Sequence, residues 1–358
     1  MSKSRRVKEF KFIDLFAGIG GFHIAMHAAG GKCVFASELD KFARQTYEYN
    51  FRKMSPEIFK NGNFNEDITD PKLNYKKIPD FDILCAGFPC QPFSFAGKNE
   101  GFKDKTRGTL FFSILSILEA KKPKAFLLEN VKGLKSHDDG RTLKTIIESL
   151  EKIGYKVKWR ILDSLDFGVP QKRERWYCVG IRDENNFEFP KGKKEIVKLS
   201  SIVDLKDQNP ALKLPNQEIK RIEYHFKKMK GLNRVQHDNS QYAPTTKKGR
   251  HGVFSFQKAD GSLRFHIGDV AKTQIQEAFY CCLETYAPTI IFNRVPKLWD
   301  IRRKLSVIEC QRLQGFPDKF SFPVSDNQAY RQLGNSIVLP VVREITKSLI
   351  KTLNNENK

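Results

Sequence analysis

The sequence predicts an α/β fold in which a parallel sheet is covered by helices on both faces. Three observations predict it. Short apolar runs alternate with helix-like segments through the first half of the 358 residues, as expected for strands joined by crossover helices. A glycine-rich turn, "AGIGGF", follows the first apolar run. Acidic residues or a cysteine stand just after several of the runs, at the strand ends where such sheets bind ligands.

The individual elements can be placed in order along the chain. Apolar runs predict strands at residues 11–16, 32–36, 81–86, 125–128, 155–162 and 175–182. Helical spacing predicts one helix to about residue 29 and others over 107–122 and 142–154. Near the C-terminus, spacing predicts a helix over 306–316 that stops at Pro317, then a closing amphipathic helix over 335–353 with Pro340 near its start.

The character of the chain changes after about residue 183. Residues 191–260 contain 16 Lys/Arg and 7 Asp/Glu, apolar periodicity is weak, and polar stretches such as "QHDNSQYAPTTKKGRHG" are frequent. This composition predicts a loop-rich, basic second region. The whole chain has a formal net charge of +22, which predicts affinity for a polyanion but does not separate DNA, RNA and an anionic membrane.

Composition also excludes several classes of protein. The longest apolar runs fall short of the roughly 18 residues that a transmembrane helix needs, and the basic N-terminus lacks a signal-peptide core. The seven cysteines are scattered and form no CxxC pair, so neither a disulfide framework nor a metal site is expected. We expect a reduced, cytoplasmic protein without membrane contact.

Several short motifs carry chemical information. Gly18, Gly20 and the neighbouring Gly21 open a helix after a strand, which lets a ligand approach the backbone at a helix N-terminus. This spacing departs from the G-x-G-x-x-G fingerprint and disfavours a dinucleotide-dependent oxidoreductase. Glu38 lies at the end of the second predicted strand, and Asp67, in "NFNEDIT", lies where a third strand should end. Two acids there favour an adenosine-bearing ligand without phosphates, although a solvated carboxylate is the simpler interpretation of each alone.

Two further motifs point to a reactive centre. In "GFPCQPFS", Cys90 lies between two prolines after a strand, and a rigid loop suits a positioned nucleophile. An inert buried cysteine is the alternative. Glu129 in "LLENV" ends the next strand, and Arg173 and Arg175 alternate in "QKRERWYCVG", so they share a face of an extended segment.

Together with two C-terminal motifs, these segments resemble one known family. "DLFAGIGGF", "GFPCQPFS", "ENV", "QKRER", "RLQGFP" and "YRQLGNS" occur in this order. The chain resembles the DNA (cytosine-5)-methyltransferases, particularly the compact prokaryotic enzymes of restriction–modification systems. The resemblance covers nearly the whole chain except the basic middle region, and six ordered motifs are highly specific.

The resemblance implies a Rossmann-like S-adenosylmethionine-dependent methyltransferase fold with a second, smaller target-recognition domain. The catalytic domain would comprise residues 1–188 and 327–358, and the target-recognition domain residues 189–326. A Thr-Leu pair in a glycine-rich setting is usual in that domain, whereas this chain has Thr289-Ile290 without the glycines. The resemblance also implies a cofactor pocket formed by Phe16, Gly18, Gly20, Phe22, Glu38, Asp67, Ile68, Pro89, Leu110, Asn335 and Ser336.

The same resemblance implies the chemistry. Cys90 would add as a thiolate to C6 of a cytosine flipped out of double-stranded DNA, and C5 would then accept the methyl group. Glu129 would bind the N3/N4 edge of the base, with Arg173 and Arg175 fixing it and supporting the charge. Residues 94–108 resemble the family's mobile loop. A monomer with a cognate restriction endonuclease as functional partner is expected.

Two alternatives remain open at this point. A tRNA cytosine methyltransferase could share the scaffold, but its usual Cys-Phe-Thr signature is missing from the middle region, which has Cys281-Cys282 instead. A non-enzymatic, methyltransferase-like DNA-binding protein is the second alternative. The presence of both Cys90 and Glu129 disfavours it.

Overall fold

The computed structural model describes most of the chain. Described are residues 9–60, 62–89, 110–182, 186–193, 195, 197–220, 223, 236–238, 251–257, 263–269, 276–278, 280–291 and 294–355. For residues 236–238, 251–257, 263–269, 276–278 and 280 only the backbone is considered. The loop segment 94–108 and Cys90 lie outside the described residues.

A seven-stranded sheet forms the centre of the structure. Its strands are β1 (Phe10–Leu15), β2 (Gly31–Ser37), β3 (Phe64–Asn65), β4 (Ile83–Gly87), β5 (Ala125–Val131), β6 (Lys156–Asp163) and β7 (Glu174–Ile181). Their order in the sheet is β3-β2-β1-β4-β5-β7-β6. The predicted α/β class is confirmed, and all six predicted strands of this sheet are present.

The direction of one strand differs from the prediction of a parallel sheet. Strands β3, β2, β1, β4 and β5 pair in parallel, but β7 is antiparallel to both β5 and β6. The segment between β6 and β7 contains only a short 3-10 helix, Ser164–Phe167. A parallel pairing needs a crossover of a dozen or more residues. The chain therefore turns back directly, and the start of β7 lies at the carboxyl edge of the other strands.

Helices cover both faces of the sheet. They are α1 (Gly21–Ala28), α2 (Lys41–Phe51), α3 (Leu110–Lys121), α4 (Arg141–Lys152), α5 (Val307–Leu313), α6 (Asp326–Asn335) and α7 (Leu339–Asn355). Apolar side chains of α1, α2 and α7 form one buried cluster, and those of α3 and α4 form a second. Because β4 and β5 are buried along nearly their whole length, their sequences are continuous apolar runs rather than alternating ones.

Several short 3-10 helices connect these elements. They are Pro56–Phe59, Tyr75–Lys77, Lys132–Lys135, His137–Gly140, Leu199–Ser201 and Pro210–Leu212. Within the described residues, no helix combines the length and the apolar character needed to cross a membrane.

The middle of the chain contains two smaller sheets. Strands β8 (Gln236–Asp238), β9 (His251–Gln257), β10 (Leu263–Asp269) and β11 (Gln276–Ala278) form an antiparallel sheet of four strands in the order β11-β10-β9-β8. Strands β12 (Tyr280–Cys281), β13 (Lys297–Leu298) and β14 (Arg303–Lys304) form a mixed sheet of three strands, in which β12 and β13 are parallel and β13 and β14 antiparallel. The side chains of Leu199, Ala287 and Ile290 nevertheless belong to the buried cluster that contains α1.

The C-terminal helices differ from the prediction in two respects. Helix α5 ends at Leu313 rather than near Pro317, because Gly315 has a φ of 75°, a left-handed conformation that ends a helix. The segment "DNQAYRQLGN" forms the separate helix α6. Asn335 therefore ends α6 and Ser336 follows it, so this pair does not belong to the closing helix α7 as predicted.

Helix α5 begins at a buried ion pair. Ser306 and Glu309 form a reciprocal capping box. The carboxylate of Glu309 also accepts hydrogen bonds from Arg303 Nη1 at 2.8 Å, from Arg303 Nη2 at 2.6 Å and from the backbone N–H of Asp204 at 2.8 Å. The Glu309 side chain is 0% exposed and that of Arg303 is 8% exposed. Each buried charge is therefore paired and hydrogen-bonded, which offsets the cost of removing it from water.

We predict that Glu309→Ala strongly destabilises the fold, because it leaves the Arg303 guanidinium buried without its partner. The free energy of unfolding should fall by about 3–5 kcal/mol, measured by urea denaturation. Glu148→Ala is the matched control, since Glu148 pairs with Lys144 at 3.7 Å on the exposed face of α4. Its effect should stay within about 1 kcal/mol. Equal effects of the two substitutions would contradict this role for Glu309.

Candidate active site

A cavity of about 690 Å³ opens at the carboxyl ends of the central strands. Its walls come from the segments after β1, β2, β3, β4 and β5, from the start of β7 and from α6. The crevice lies where ligands bind in open α/β sheets, and its volume is in the range of small-molecule sites.

The glycine-rich turn forms one end of the cavity. Phe16 has a φ of 52° and Gly18 a φ of 55°. A positive φ is uncommon for a residue with a side chain and marks local strain. A Cβ added at Gly18 would meet no atom within 4 Å, because this glycine faces the open cavity. The turn thus leaves backbone accessible to a ligand.

Gly20 has a different task in the same turn. It has a φ of 86°, and an added Cβ would lie 2.1 Å from the ring of Phe51. That ring stacks on His23 with 4.0 Å between centroids. The His23 imidazole is buried and contacts Tyr47 Oη at 2.7 Å and Ser55 Oγ at 3.1 Å. Burial lowers the pKa of His23 to about 3, so a neutral aromatic stack supports the turn from behind.

Glu38 connects the first two strand ends. Its Oε2 accepts the backbone N–H of Gly18 at 2.7 Å, and its Oε1 accepts the backbone N–H of Asp40 at 2.8 Å. Burial raises the pKa of Glu38, and the two N–H groups oppose that rise. Glu38 therefore holds the glycine turn and also faces the cavity. From this position its carboxylate can accept hydrogen bonds from the hydroxyl groups of a ligand.

The segment after β3 contributes a second acidic wall. Asp67 Oδ1 accepts from the backbone N–H and the hydroxyl of Thr69, at 2.8 and 2.6 Å. Ile68 is 3% exposed, and its carbonyl accepts from Tyr75 Oη at 2.9 Å. Because both hydrogen bonds go to Oδ1, the other carboxylate oxygen of Asp67 is available to a ligand.

The structure brings most of the predicted site residues together. Those in the cavity wall are Phe16, Gly18, Glu38, Asp67, Ile68, Pro89, Leu110, Glu129, Arg173, Arg175, Asn335 and Ser336. Gly20 and Phe22 lie behind the wall instead, because Gly20 packs on Phe51 and the Phe22 ring is buried near Gly87. Cys90 lies outside the described residues.

The loop that leads to Cys90 is nevertheless anchored within the described part. Asn130, which follows Glu129 on β5, is 1% exposed and donates its Nδ2 to the carbonyl of Phe88 at 2.9 Å. This bond ties the end of β4 to the end of β5. The chain therefore leaves Pro89 at the wall of the cavity that Glu129 also lines.

Glu129 and Arg175 form the charged centre of the cavity. Arg175 Nε lies 3.2 Å from Glu129 Oε1, with side-chain exposures of 13% and 11%. Arg175 also donates Nη1 to the carbonyl of Glu174 at 2.9 Å. Burial raises the pKa of Glu129, while the cations of Arg175 and Arg173 oppose the rise. A carboxyl group under these opposing influences is suited to exchanging a proton.

Arg173 is more deeply buried and its contacts are of another kind. It is 3% exposed and donates to three carbonyl oxygens, those of Ile290 at 2.7 Å, Gly334 at 3.1 Å and Ser336 at 2.7 Å. Burial and the neighbouring Arg175 lower the pKa of Arg173 to about 9. Its hydrogen bonds hold the backbone of the cavity wall, whereas Arg175 faces the carboxylate.

The motif analysis missed residues that act from behind the wall. Gln171 and Gln314 are both 0% exposed and hydrogen-bond to each other at 3.2 Å. Their side chains lie in "QKRER" and "RLQGFP", but sequence spacing does not reveal that the two motifs meet. The burial of the two amides, which would mark them as important, is visible only in the structure. Among the described residues, no group of three or more His, Cys, Asp or Glu side chains could hold a metal ion.

We predict that Arg175→Gln raises the pKa of Glu129 further, since it removes the nearer of the two cations that oppose the effect of burial. At a fixed pH the carboxyl group should then be protonated in a larger fraction of molecules. The titration of the Glu129 carboxyl group can be measured by infrared difference spectroscopy, with the double variant Arg175→Gln/Glu129→Gln as the reference. Arg175→Lys, which keeps the charge, should change the midpoint less. An unchanged midpoint in Arg175→Gln would mean that the ion pair does not control this carboxyl group.

Comparison with known proteins agrees with this geometry. The family model of C-5 cytosine-specific DNA methylases matches residues 10–351. The Type II methyltransferase M.HaeII of Haemophilus aegyptius is 41% identical over 351 residues, which cover 97% of this chain and 95% of the relative. The Type II methyltransferase M.HhaI of Haemophilus parahaemolyticus is 38% identical over 356 residues, which cover 98% of each chain.

Solved structures support the same fold. The methyltransferase Dnmt2 of S. pombe superimposes with a TM-score of 0.63 at 18% identity, covering 96% of this chain and 99% of the other. A putative DNA modification methyltransferase encoded within an E. coli prophage gives a TM-score of 0.63 at 20% identity, with the same coverage of both chains. The methyltransferase fold predicted from the ordered motifs is confirmed, and the chain belongs to the C-5 cytosine-specific DNA methylase family.

Proposed function

We propose that this DNA (cytosine-5)-methyltransferase methylates C5 of a flipped cytosine within a specific double-stranded sequence, through a covalent bond between Cys90 and C6. The observation that carries the proposal is the buried Glu129–Arg175 pair, which faces the same cavity as the glycine turn and Glu38. A base-binding carboxylate and a cofactor-binding turn in one crevice are what methyl transfer to a base requires.

The cavity fits S-adenosylmethionine, which supplies the methyl group when bound. The open face of Gly18 and the strained turn at Phe16 leave room for a ligand beside the backbone. Glu38 would accept the ribose hydroxyl groups, and Asp67 would accept from the adenine amino group. Ile68, Pro89 and Leu110 supply apolar walls, and Asn335 and Ser336 close the pocket from the end of α6. Gly20 and Phe22 would support this pocket from behind its wall.

The chain's own residues then divide the chemistry on the base. The thiolate of Cys90 adds to C6, and the ring gains electron density that a proton at N3 neutralises. The raised pKa of Glu129 suits it to donate that proton, and Arg175 would support the charge on the base. After methylation, a base removes the C5 proton, the C6–S bond breaks and the thiolate leaves. N3 returns its proton to Glu129, which restores the neutral aromatic base. In this scheme Arg173 acts by fixing the wall that holds the other groups.

Target choice would belong to the second domain, residues 189–326. Its excess of Lys and Arg over residues 191–260 suits phosphate contacts, which fix position without reading sequence. We further propose that the enzyme acts as a monomer in the cytoplasm, at the nucleoid, and protects DNA against a cognate restriction endonuclease. The relatives named Type II methyltransferases support that role.

The enzyme should place 5-methylcytosine at one short sequence in duplex DNA. Bisulfite sequencing of DNA from a methylation-free host expressing the chain would give both the sequence and the cytosine. A total-RNA substrate is the matched control, because a tRNA cytosine methyltransferase would label it instead. Methylation confined to RNA, or none on either substrate, would refute the proposed substrate.

DNA carrying 5-fluorocytosine at the target should form a protein–DNA adduct that survives boiling in detergent. Fluorine cannot leave C5 as a proton, so the reaction should stall after methylation with Cys90 still attached. Formation should require S-adenosylmethionine and should vanish in Cys90→Ser, because a serine hydroxyl is a far poorer nucleophile near neutral pH. Cys282→Ser is the control and should keep the adduct. An adduct in Cys90→Ser, or one that depends on another cysteine, would overturn the mechanism.

A further inference from the structure

A buried bridge of three side chains joins the cofactor side of the molecule to the chain that returns from the basic region. We define the bridge as Gln171, Arg173 and Gln314, which are 0%, 3% and 0% exposed. Gln171 and Arg173 lie just before β7, and Gln314 directly follows α5. Buried polar groups are usually hydrogen-bonded. Both amides and the two terminal nitrogens of Arg173 make such bonds, whereas Arg173 Nε has no partner among the described residues.

One side of the bridge holds Ile290 by both of its backbone polar atoms. The N–H of Ile290 donates to Gln171 Oε1 at 2.9 Å, and its carbonyl accepts from Arg173 Nη1 at 2.7 Å. The neighbouring Thr289 donates its hydroxyl to the carbonyl of Lys172 at 2.6 Å. The Thr289-Ile290 pair is therefore fixed against the segment that leads into Arg175.

The other side holds the turn that closes the cofactor pocket. Arg173 Nη2 donates to the carbonyls of Gly334 and Ser336 at 3.1 and 2.7 Å. Gln314 Nε2 donates to the carbonyl of Leu333 at 2.7 Å. Gln171 Nε2 closes the bridge by donating to Gln314 Oε1 at 3.2 Å. Gln171 thus contacts Ile290 with its oxygen and Gln314 with its nitrogen.

We propose that Gln171 and Gln314 are positioning residues through which cofactor binding and DNA binding are coupled. This inference rests on the proposed function, because it requires residues 334–336 to contact the cofactor and the second domain, residues 189–326, to contact DNA. A cofactor that orders the turn at 334–336 also fixes, through the bridge, the segment at 287–290. Linkage is reciprocal, so a bound target duplex must raise the affinity for the cofactor by the same factor.

The test is the ratio of duplex dissociation constants without and with S-adenosylhomocysteine, which occupies the cofactor site and gives no turnover. The duplex carries the target sequence found by bisulfite sequencing. In the wild-type enzyme the ratio should be about 5 or more, within the usual range of coupling. In Gln171→Met and in Gln314→Met it should fall by about twofold or more, because methionine fills similar space without the hydrogen bonds, while Arg173 keeps its direct contacts to both sides.

Tyr155→Phe is the matched control. The buried hydroxyl of Tyr155 donates to the carbonyl of Pro123 at 2.8 Å, outside the residues that line the cavity. The Tyr155→Phe substitution removes this one buried hydrogen bond. It should leave the ratio of duplex dissociation constants at the wild-type value even if the melting temperature falls. A variant of Gln171 or Gln314 that loses stability in the same way but keeps the wild-type ratio would show a merely structural role.

The outcomes separate this inference from the function on which it rests. A wild-type enzyme that methylates its target with a coupling ratio of 1 refutes the coupling and leaves the function intact. A wild-type enzyme that fails to methylate DNA refutes the function itself. If Gln171→Met does not fold, Gln314→Met decides alone, since it leaves both hydrogen bonds to Ile290 in place. An unchanged ratio in that variant overturns the proposal.

Discussion

The reversal of β7 is the constraint on which the charged centre depends. In an antiparallel partner of β5, the first residues of β7 lie opposite the last residues of β5, as the pairing of Arg175 with Val131 shows. Glu129 and Arg175 therefore meet at one edge of the sheet, 3.2 Å apart. Were β7 parallel, its first residues would lie at the opposite edge, a full strand length away. The turn after β6 is too short for a crossover helix, so the connection itself enforces this placement.

Burial gives that pair its chemical character. A carboxyl group withdrawn from water resists ionisation, whereas adjacent guanidinium groups favour it, and Glu129 is subject to both influences. The two arginines are both positively charged, but they make different contacts. Arg175 contacts the carboxylate directly. Arg173 donates its Nη1 and Nη2 groups to three carbonyls and affects Glu129 by electrostatic attraction. One positively charged residue can therefore fix the backbone while its neighbour faces the cavity.

Sequence reasoning predicted six strands of the central sheet and most helices, because each of these leaves a local signal, whereas most residues of the cavity wall were implied by the family resemblance. Apolar runs mark buried strands, and the acids after β2 and β3 stand where strand ends meet. The direction of β7 leaves no such signal in its own residues; only the length of the preceding turn carries it. For the same reason Gln171 and Gln314 could not be identified as partners, since 143 residues separate them along the chain. The position of Asn335 at the end of α6 was missed because "DNQAYRQLGN" has few apolar residues at helical spacing.

The two glycines of the first turn show how one motif can allow close packing and also leave open space beside the backbone. Gly18 has open space where a side chain would be, whereas Gly20 has the ring of Phe51 in that place. Both adopt a positive φ, so the conformational requirement is the same, but only the first leaves room for a ligand. The second lets the turn rest on a neutral, stacked histidine, whose pKa of about 3 keeps it uncharged at neutral pH. A charged imidazole there would lie beneath a helix N-terminus, where positive charge is unfavourable. The neutral stack therefore supports the glycine turn without placing a cation next to the partial positive charge of the helix N-terminus.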